Sequence, residues 1–121
     1  PDYCNTLSAR RQYWFDINPL VKGHTLVVPK QEVDYIFDLS DEDLAAMHVF
    51  AKKIARAIEK AFPCKKVGEA VIGLEVPHAH IHLIPIQKES DMLFSNPKLK
   101  LADDEFVSIA KAISSAYETA K

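Results

Sequence analysis

At 121 residues and 48% hydrophobic content, the chain has the size and apolar fraction of one domain with its own core. A formal net charge of −2 gives no electrostatic reason for non-specific nucleic-acid binding, and no specific nucleic-acid partner is expected. No apolar run approaches the roughly 18 residues of a membrane-spanning helix, so no membrane association is expected.

Residues 1–12 carry no clear pattern, and Arg10-Arg11 is expected to be a solvated charge pair. Residues 13–17 read as a strand that ends at the turn signal Asn18-Pro19. Residues 23–28 form the next strand, and the short 18–22 connection suits an antiparallel hairpin. Ser40 followed by Asp43 resembles a capping box. Leu44, Met47, Ala51, Ile54, Ile58 and Phe62 then recur at helical spacing until Pro63. His48, beside that stripe, is expected to pack half-buried. The helix carries Leu44, Met47, Phe50, Ile54 and Ile58, a wider apolar arc than one sheet contact needs, which predicts a homodimer.

Residues 70–74 and 78–84 read as two more strands, and 88–100 as a polar loop. A second helix starts near Asp103 or Asp104 and uses Phe106, Ile109, Ile113 and Ala116. The order β-β-α-β-β-α predicts an α+β fold with an antiparallel sheet and helices on one face. Cys4 and Cys64 form no metal or redox spacing, which suits a reducing, cytoplasmic setting. No signal-peptide pattern is visible, although the chain starts at Pro1 without Met.

The strongest signal is the run His78-Ala79-His80-Ile81-His82-Leu83-Ile84, bounded by Pro77 and Pro85. Alternation on a strand places the three imidazoles on one face and Ala79, Ile81 and Leu83 on the other. Imidazole is the side chain best suited to nucleophilic attack, proton movement or metal binding near neutral pH. Neighbours at i and i+2 lie about 6.5–7 Å apart and the outer pair about 13 Å apart, so a straight strand does not bring all three to one ion. A metal-dependent hydrolase using His78 or His80 with His24 is the minor alternative. The catalytic alternative makes His80, flanked on both sides, the nucleophile at an electrophilic phosphorus or carbonyl. A neighbouring imidazole would then stabilise phosphoryl oxygens or donate to the leaving group.

The segment 78–84 resembles the signature of the histidine-triad (HIT) family, His-x-His-x-His followed by apolar residues. Asp16-Ile17-Asn18-Pro19 and Gly23-His24-Thr25-Leu26-Val27-Val28-Pro29-Lys30 resemble that family's upstream block in type and order. The resemblance covers residues 13–86. It implies one HIT-like domain over 1–121 that lacks part of the usual N-terminal segment. It also implies a five-stranded antiparallel sheet, a homodimer, and hydrolysis or transfer at the α-phosphorus of a nucleotide or nucleotide conjugate. By resemblance His80 forms a nucleotidyl-histidine intermediate, and His82 contacts phosphoryl oxygens or the leaving group. His78 and His24 orient the others, Asp16 binds the ribose hydroxyls, and no metal or other cofactor is required.

Two departures stand out. The family's Gly-Gln-Ser/Thr phosphate loop is replaced by Ile72-Gly73-Leu74-Glu75-Val76-Pro77, which keeps open a slow nucleotide-binding regulator as the alternative function. Glu75, where other members carry a hydroxyl, is counted with the nucleotide-binding positions. It either turns away into solvent or enters the site and favours a leaving group with a cationic or hydroxyl portion. Residues 4–12 do not resemble the family's opening segment.

Overall fold

The structure, a computed structural model, describes residues 13–16, 18–29, 31, 33–74 and 76–120. Four strands, β1 (Tyr13–Phe15), β2 (Thr25–Val27), β3 (Lys66–Ala70) and β4 (Ile81–Ile86), form one antiparallel sheet in the order β1-β2-β4-β3. The five strands implied by the family resemblance are thus four among the described residues. Two helices accompany the sheet, α1 (Asp41–Ala61) and α2 (Asp103–Ala120). Short 3-10 turns at Ile36–Asp38 and Glu89–Met92 carry no periodicity that the sequence could announce.

Helix α1 starts where its cap chemistry puts it. Ser40 stays extended and its hydroxyl accepts the Asp43 N–H at 3.1 Å, while Asp41, Glu42 and Asp43 face the positive end of the helix dipole. Its Met47, Ala51, Ile54, Ala57 and Ile58 are buried. They join Ala79, Ile81 and Leu83 of the histidine segment, Val27 of β2, Tyr13 and Phe15 of β1, and Ile109, Ile113 and Ala116 of α2 in one core. The helices therefore pack on the sheet face that alternation assigned to the apolar residues of 78–84.

Helix α2 and β1 also consume the wide apolar arc of α1. Phe50 lies 6.0 Å from the Tyr13 ring and 5.9 Å from the Tyr117 ring, and Leu44 packs against the same core. The arc is explained within the chain and does not itself point to a second copy. His48 departs from its expected half-buried place: it is exposed, with Nε2 3.4 Å from Glu69 of β3.

Two strands are displaced from their expected positions. The third lies at 66–70 rather than 70–74, pairing Lys66 with Ile86 and Ala70 with His82. Met92 packs directly on Gly68, where a Cβ would sit 2.6 Å from Met92 Sδ and would make that side chain shift. The more apolar 71–74 stretch leaves the sheet, turning at Gly73 with φ 72°. The histidine strand runs over 81–86 rather than 78–84: His78, Ala79 and His80 precede it, and it continues through Pro85 instead of stopping there. Lys65 donates its N–H to Ile86 O on the β3 side, so by alternation the Pro85 nitrogen faces the β2 side. Pairing with β2 ends at Leu83, so Pro85 removes no ladder bond.

The polar 88–100 stretch is not a simple solvent loop. Met92 lies on Gly68, and Leu99 N–H bonds Pro19 O at 2.8 Å. The segment after β4 thus straps across the sheet face opposite the helices. Ile54, fully buried in the core, should lose about 3 kcal/mol of stability on Ile54→Ala. Ser40→Ala should lose only about 1 kcal/mol, and chemical denaturation would rank the two.

Candidate active site

Register brings the site together. Leu26 pairs with His82, and His24 lies two residues earlier, just before β2, on the same side of the sheet as the His82 ring. His24 and His82 then meet directly, with Nε2 of the first 2.9 Å from Nδ1 of the second. The His80 and His82 rings stack edge to face at 4.7 Å. His78 reaches Pro29 O through Nε2 at 3.4 Å. Asp16, just after β1, places Oδ2 3.7 Å from His24 Nε2, while its Oδ1 accepts the Asn18 N–H at 2.8 Å. Side-chain contacts thus link four of the six residues singled out in the sequence, Asp16, His24, His80 and His82, and His78 meets His80 through its backbone carbonyl; Glu75 lies outside the described residues.

Hydrogen-bond chemistry assigns the ring protons. The Leu20 N–H can only donate, and it points at His24 Nδ1 from 3.1 Å in a buried setting. His24 therefore carries its proton on Nε2 and donates it to His82 Nδ1. His82 in turn carries its proton on Nε2. At His80 the partner is a carbonyl, which can only accept: Nδ1 lies 2.8 Å from His78 O. Nδ1 is thus the protonated nitrogen, and Nε2 presents a lone pair. His80 Nε2 therefore lies beside a ring that donates from its own Nε2.

Burial supports the neutral forms. His24 is pushed down to about 4, first by burial and then by the charges of Lys98 and His80. His82 is also lowered to about 4, again mainly by burial, with His24 and His80 adding to the effect and Asp16 opposing it. Part of this burial comes from Phe94 of the strap, whose ring lies 4.8 Å from His82 and 6.3 Å from His24. The sequence reading missed both Phe94 and the Leu20 amide. A backbone N–H leaves no mark in a sequence; Met92-Leu93-Phe94, an apolar cluster inside a polar stretch, was the available signal for the strap.

Asp16, His24 and His82 offer donor atoms within 4.8 Å of one another, a set that meets the distance condition for a metal ion. It differs from the pairing of His24 with His78 or His80 expected for a metal site. The proton positions oppose it. Ligation through His24 Nε2 would require the ring proton on Nδ1, where the Leu20 N–H already points. The donor set does not fit a divalent ion while that bond stands.

Residues 9–89 match the HIT domain. The chain belongs to the HIT family. Among curated HIT relatives, the adenosine 5'-monophosphoramidase of Schizosaccharomyces pombe is 31% identical over 104 residues, covering 84% of this chain and 78% of that protein. The asymmetrical bis(5'-nucleosyl)-tetraphosphatase of the same yeast is 30% identical over 102 residues, covering 77% of this chain. The chain spans only about half, 54%, of that relative's length. A HIT-like protein of Bartonella henselae superposes with a TM-score of 0.73 at 28% identity, covering 86% of this chain and 78% of that one.

The lowered values of His24 and His82 set the sign of a pH effect on stability. In the unfolded chain both rings return to an ordinary value near 6.5, so between about 4 and 6.5 the unfolded state binds more protons. Stability is therefore full above that window and is lost as pH falls through it. Thermal melts should show the midpoint dropping from neutral pH toward about pH 4.5, with a shallower drop in His24→Gln.

Proposed function

We propose that this protein hydrolyses or transfers nucleotide derivatives at the α-phosphorus, with His80 as the nucleophile. The observation that carries the reading is the His80 Nδ1–H bond to its own chain at His78 O, which leaves Nε2 as a lone pair next to the His82 donor. His80 Nε2 attacks phosphorus, the bond to the leaving group breaks with its electron pair, and a nucleotidyl-histidine forms. Water then cleaves the phosphorus–nitrogen bond and releases the mononucleotide. His82 donates from Nε2 to a phosphoryl oxygen or to the leaving atom, and His24 fixes the tautomer that makes this possible. His78, tied to Pro29 O, holds the carbonyl that orients His80. Asp16 keeps lone pairs for the ribose hydroxyls. The relatives named as a phosphoramidase and a tetraphosphatase support nucleotide conjugates as the substrate class.

Adenosine 5'-phosphoramidate is the first substrate to test. His80→Ala should abolish its turnover while circular dichroism stays unchanged, because the ring lies on the face away from the helical core. Single-turnover mixing should trap nucleotide on the wild-type protein and none on His80→Ala. Turnover should also survive chelation. Full activity in His80→Ala, or chelator loss reversed by zinc, would remove the reading.

We further infer a homodimer, on grounds other than the α1 arc. Strand β3 lies at one edge of the described sheet. The chain after it exposes Ile72, Leu74 and Val76, with Leu74 at 90%, and Val49 of α1 is exposed as well. Such apolar exposure favours a second contact, and two-fold pairing is the commonest way to make one. Sedimentation at about micromolar concentration should give a dimer, and Leu74→Glu should shift it toward monomer. A purely monomeric wild type would refute the inference.

A further inference from the structure

The strap that follows β4 is built more firmly than a connection requires. Asp91 Oδ2 accepts the N–H groups of Gln87 and Lys88 at 2.9 and 3.2 Å. Gln87 Nε2 donates to Pro63 O at 2.9 Å, and Asn96 Nδ2 donates to Ser90 O at 2.7 Å. Lys98 Nζ donates to the carbonyl oxygens of Phe94 and Asn96. Each end is anchored to the body of the protein. Met92 occupies the space that a side chain at Gly68 would need, and Leu99 N–H bonds Pro19 O at 2.8 Å.

One side chain of this strap reaches the catalytic rings. The Phe94 ring meets His82 at 4.8 Å and an interplanar angle of 67°, and His24 at 6.3 Å and 70°. Edge-to-face packing at these separations favours one relative orientation of two rings. The hydrogen bond from His24 fixes His82 at one atom, Nδ1, and leaves the ring free to tilt about that contact. An aromatic ring packed against it removes that freedom.

We propose that Phe94 is a positioning residue, whose ring, fixed by the strap, holds the His82 imidazole in the orientation that presents its Nε2–H to the reacting phosphoryl group. This rests on His82 acting as the donor in the proposed reaction. Phe94 also supplies an apolar ring contact on an imidazole whose other ring neighbours are imidazoles. His80 adjoins His82 from just before β4, and His24 faces it from just before β2. Asp16 acts on it from behind β1, while Lys98, from the strap, acts through His24. Ala70, opposite on β3, brings no charge. Without Phe94, water would reach the ring and a second rotamer would become available.

Histidine-labelled nitrogen NMR on the full chain, together with phosphoramidate kinetics, tests this. In Phe94→Ala the His82 titration midpoint should rise by about one unit or more. Its kcat should fall about tenfold, with KM changed less than about threefold, because a group that acts in the transition state is misplaced. Phe94→Leu restores apolar bulk and should recover most of both losses. If Phe94→Ala does not fold, Phe94→Gln, polar at similar length, should show the same rise in the midpoint. An unchanged His82 titration, or an unchanged kcat in an active enzyme, overturns the proposal. If the wild type turns over no phosphoramidate, the functional reading falls, and the His82 titration alone decides whether Phe94 positions that ring.

Discussion

The Leu20 N–H points at His24 Nδ1 from 3.1 Å, inside the protein, and a backbone amide has no choice but to donate. The proton positions of His24 and His82 follow from that contact. His24 must donate from Nε2, His82 must accept at Nδ1, and its own proton must sit at Nε2. The turn at 18–22 that presents Leu20 is thus part of the chemistry, although no side chain of that turn needs to touch a substrate. The same contact opposes a metal ion on Asp16, His24 and His82, because it occupies the nitrogen that a metal-bound ring would need to protonate. Three donor atoms close together are a necessary condition for a metal site, and here the tautomer fails the other condition.

Burial strengthens this arrangement. Both relay imidazoles are held neutral at physiological pH chiefly because the sheet and the strap exclude water from them. A charged His82 would donate more strongly, yet it would also need a counter-charge in a closed setting, and Asp16 is the only nearby carboxylate among the described residues. A neutral, oriented donor avoids that demand. In the proposed reaction it would stabilise a phosphoryl oxygen through a dipole already in place, which requires no reorganisation as charge develops. Orientation matters more for such a donor than for a full charge, and Phe94 acts on orientation.

Much of this was legible in the sequence because it is encoded by alternation and spacing. The 78–84 run declares its two faces, the apolar period of α1 declares its buried side, and Ser40 and Asp43 declare its start. Where the reading slipped, tertiary context had overruled local preference. The 70–74 stretch has better strand-forming residues than 66–70, yet it is 66–70 that pairs with β4, with Met92 from 24 residues further on packed over Gly68. Pro85 reads as a strand terminator unless one knows that β2 is too short to pair with it. The 88–100 stretch reads as solvent-facing by composition, because the bonds that make it a strap are mostly to backbone atoms.

The histidine row itself shows how little of function resides in residue type. His78, His80 and His82 are chemically identical and evenly spaced, but each meets a different partner. His78 meets the Pro29 carbonyl, His80 meets the carbonyl of His78, and His82 meets another imidazole whose proton has already been assigned. A carbonyl partner at Nδ1 makes His80 a base with an open Nε2 lone pair, whereas an imidazole donor at Nδ1 makes His82 a donor at Nε2. The proposed nucleophile and the proposed donor thus differ only in what is hydrogen-bonded to one ring nitrogen. Replacing His24 by a side chain that accepts rather than donates would free His82 Nδ1 to hold its own proton. The row would then present two lone pairs to phosphorus and no donor, although all three of its histidines would remain in place.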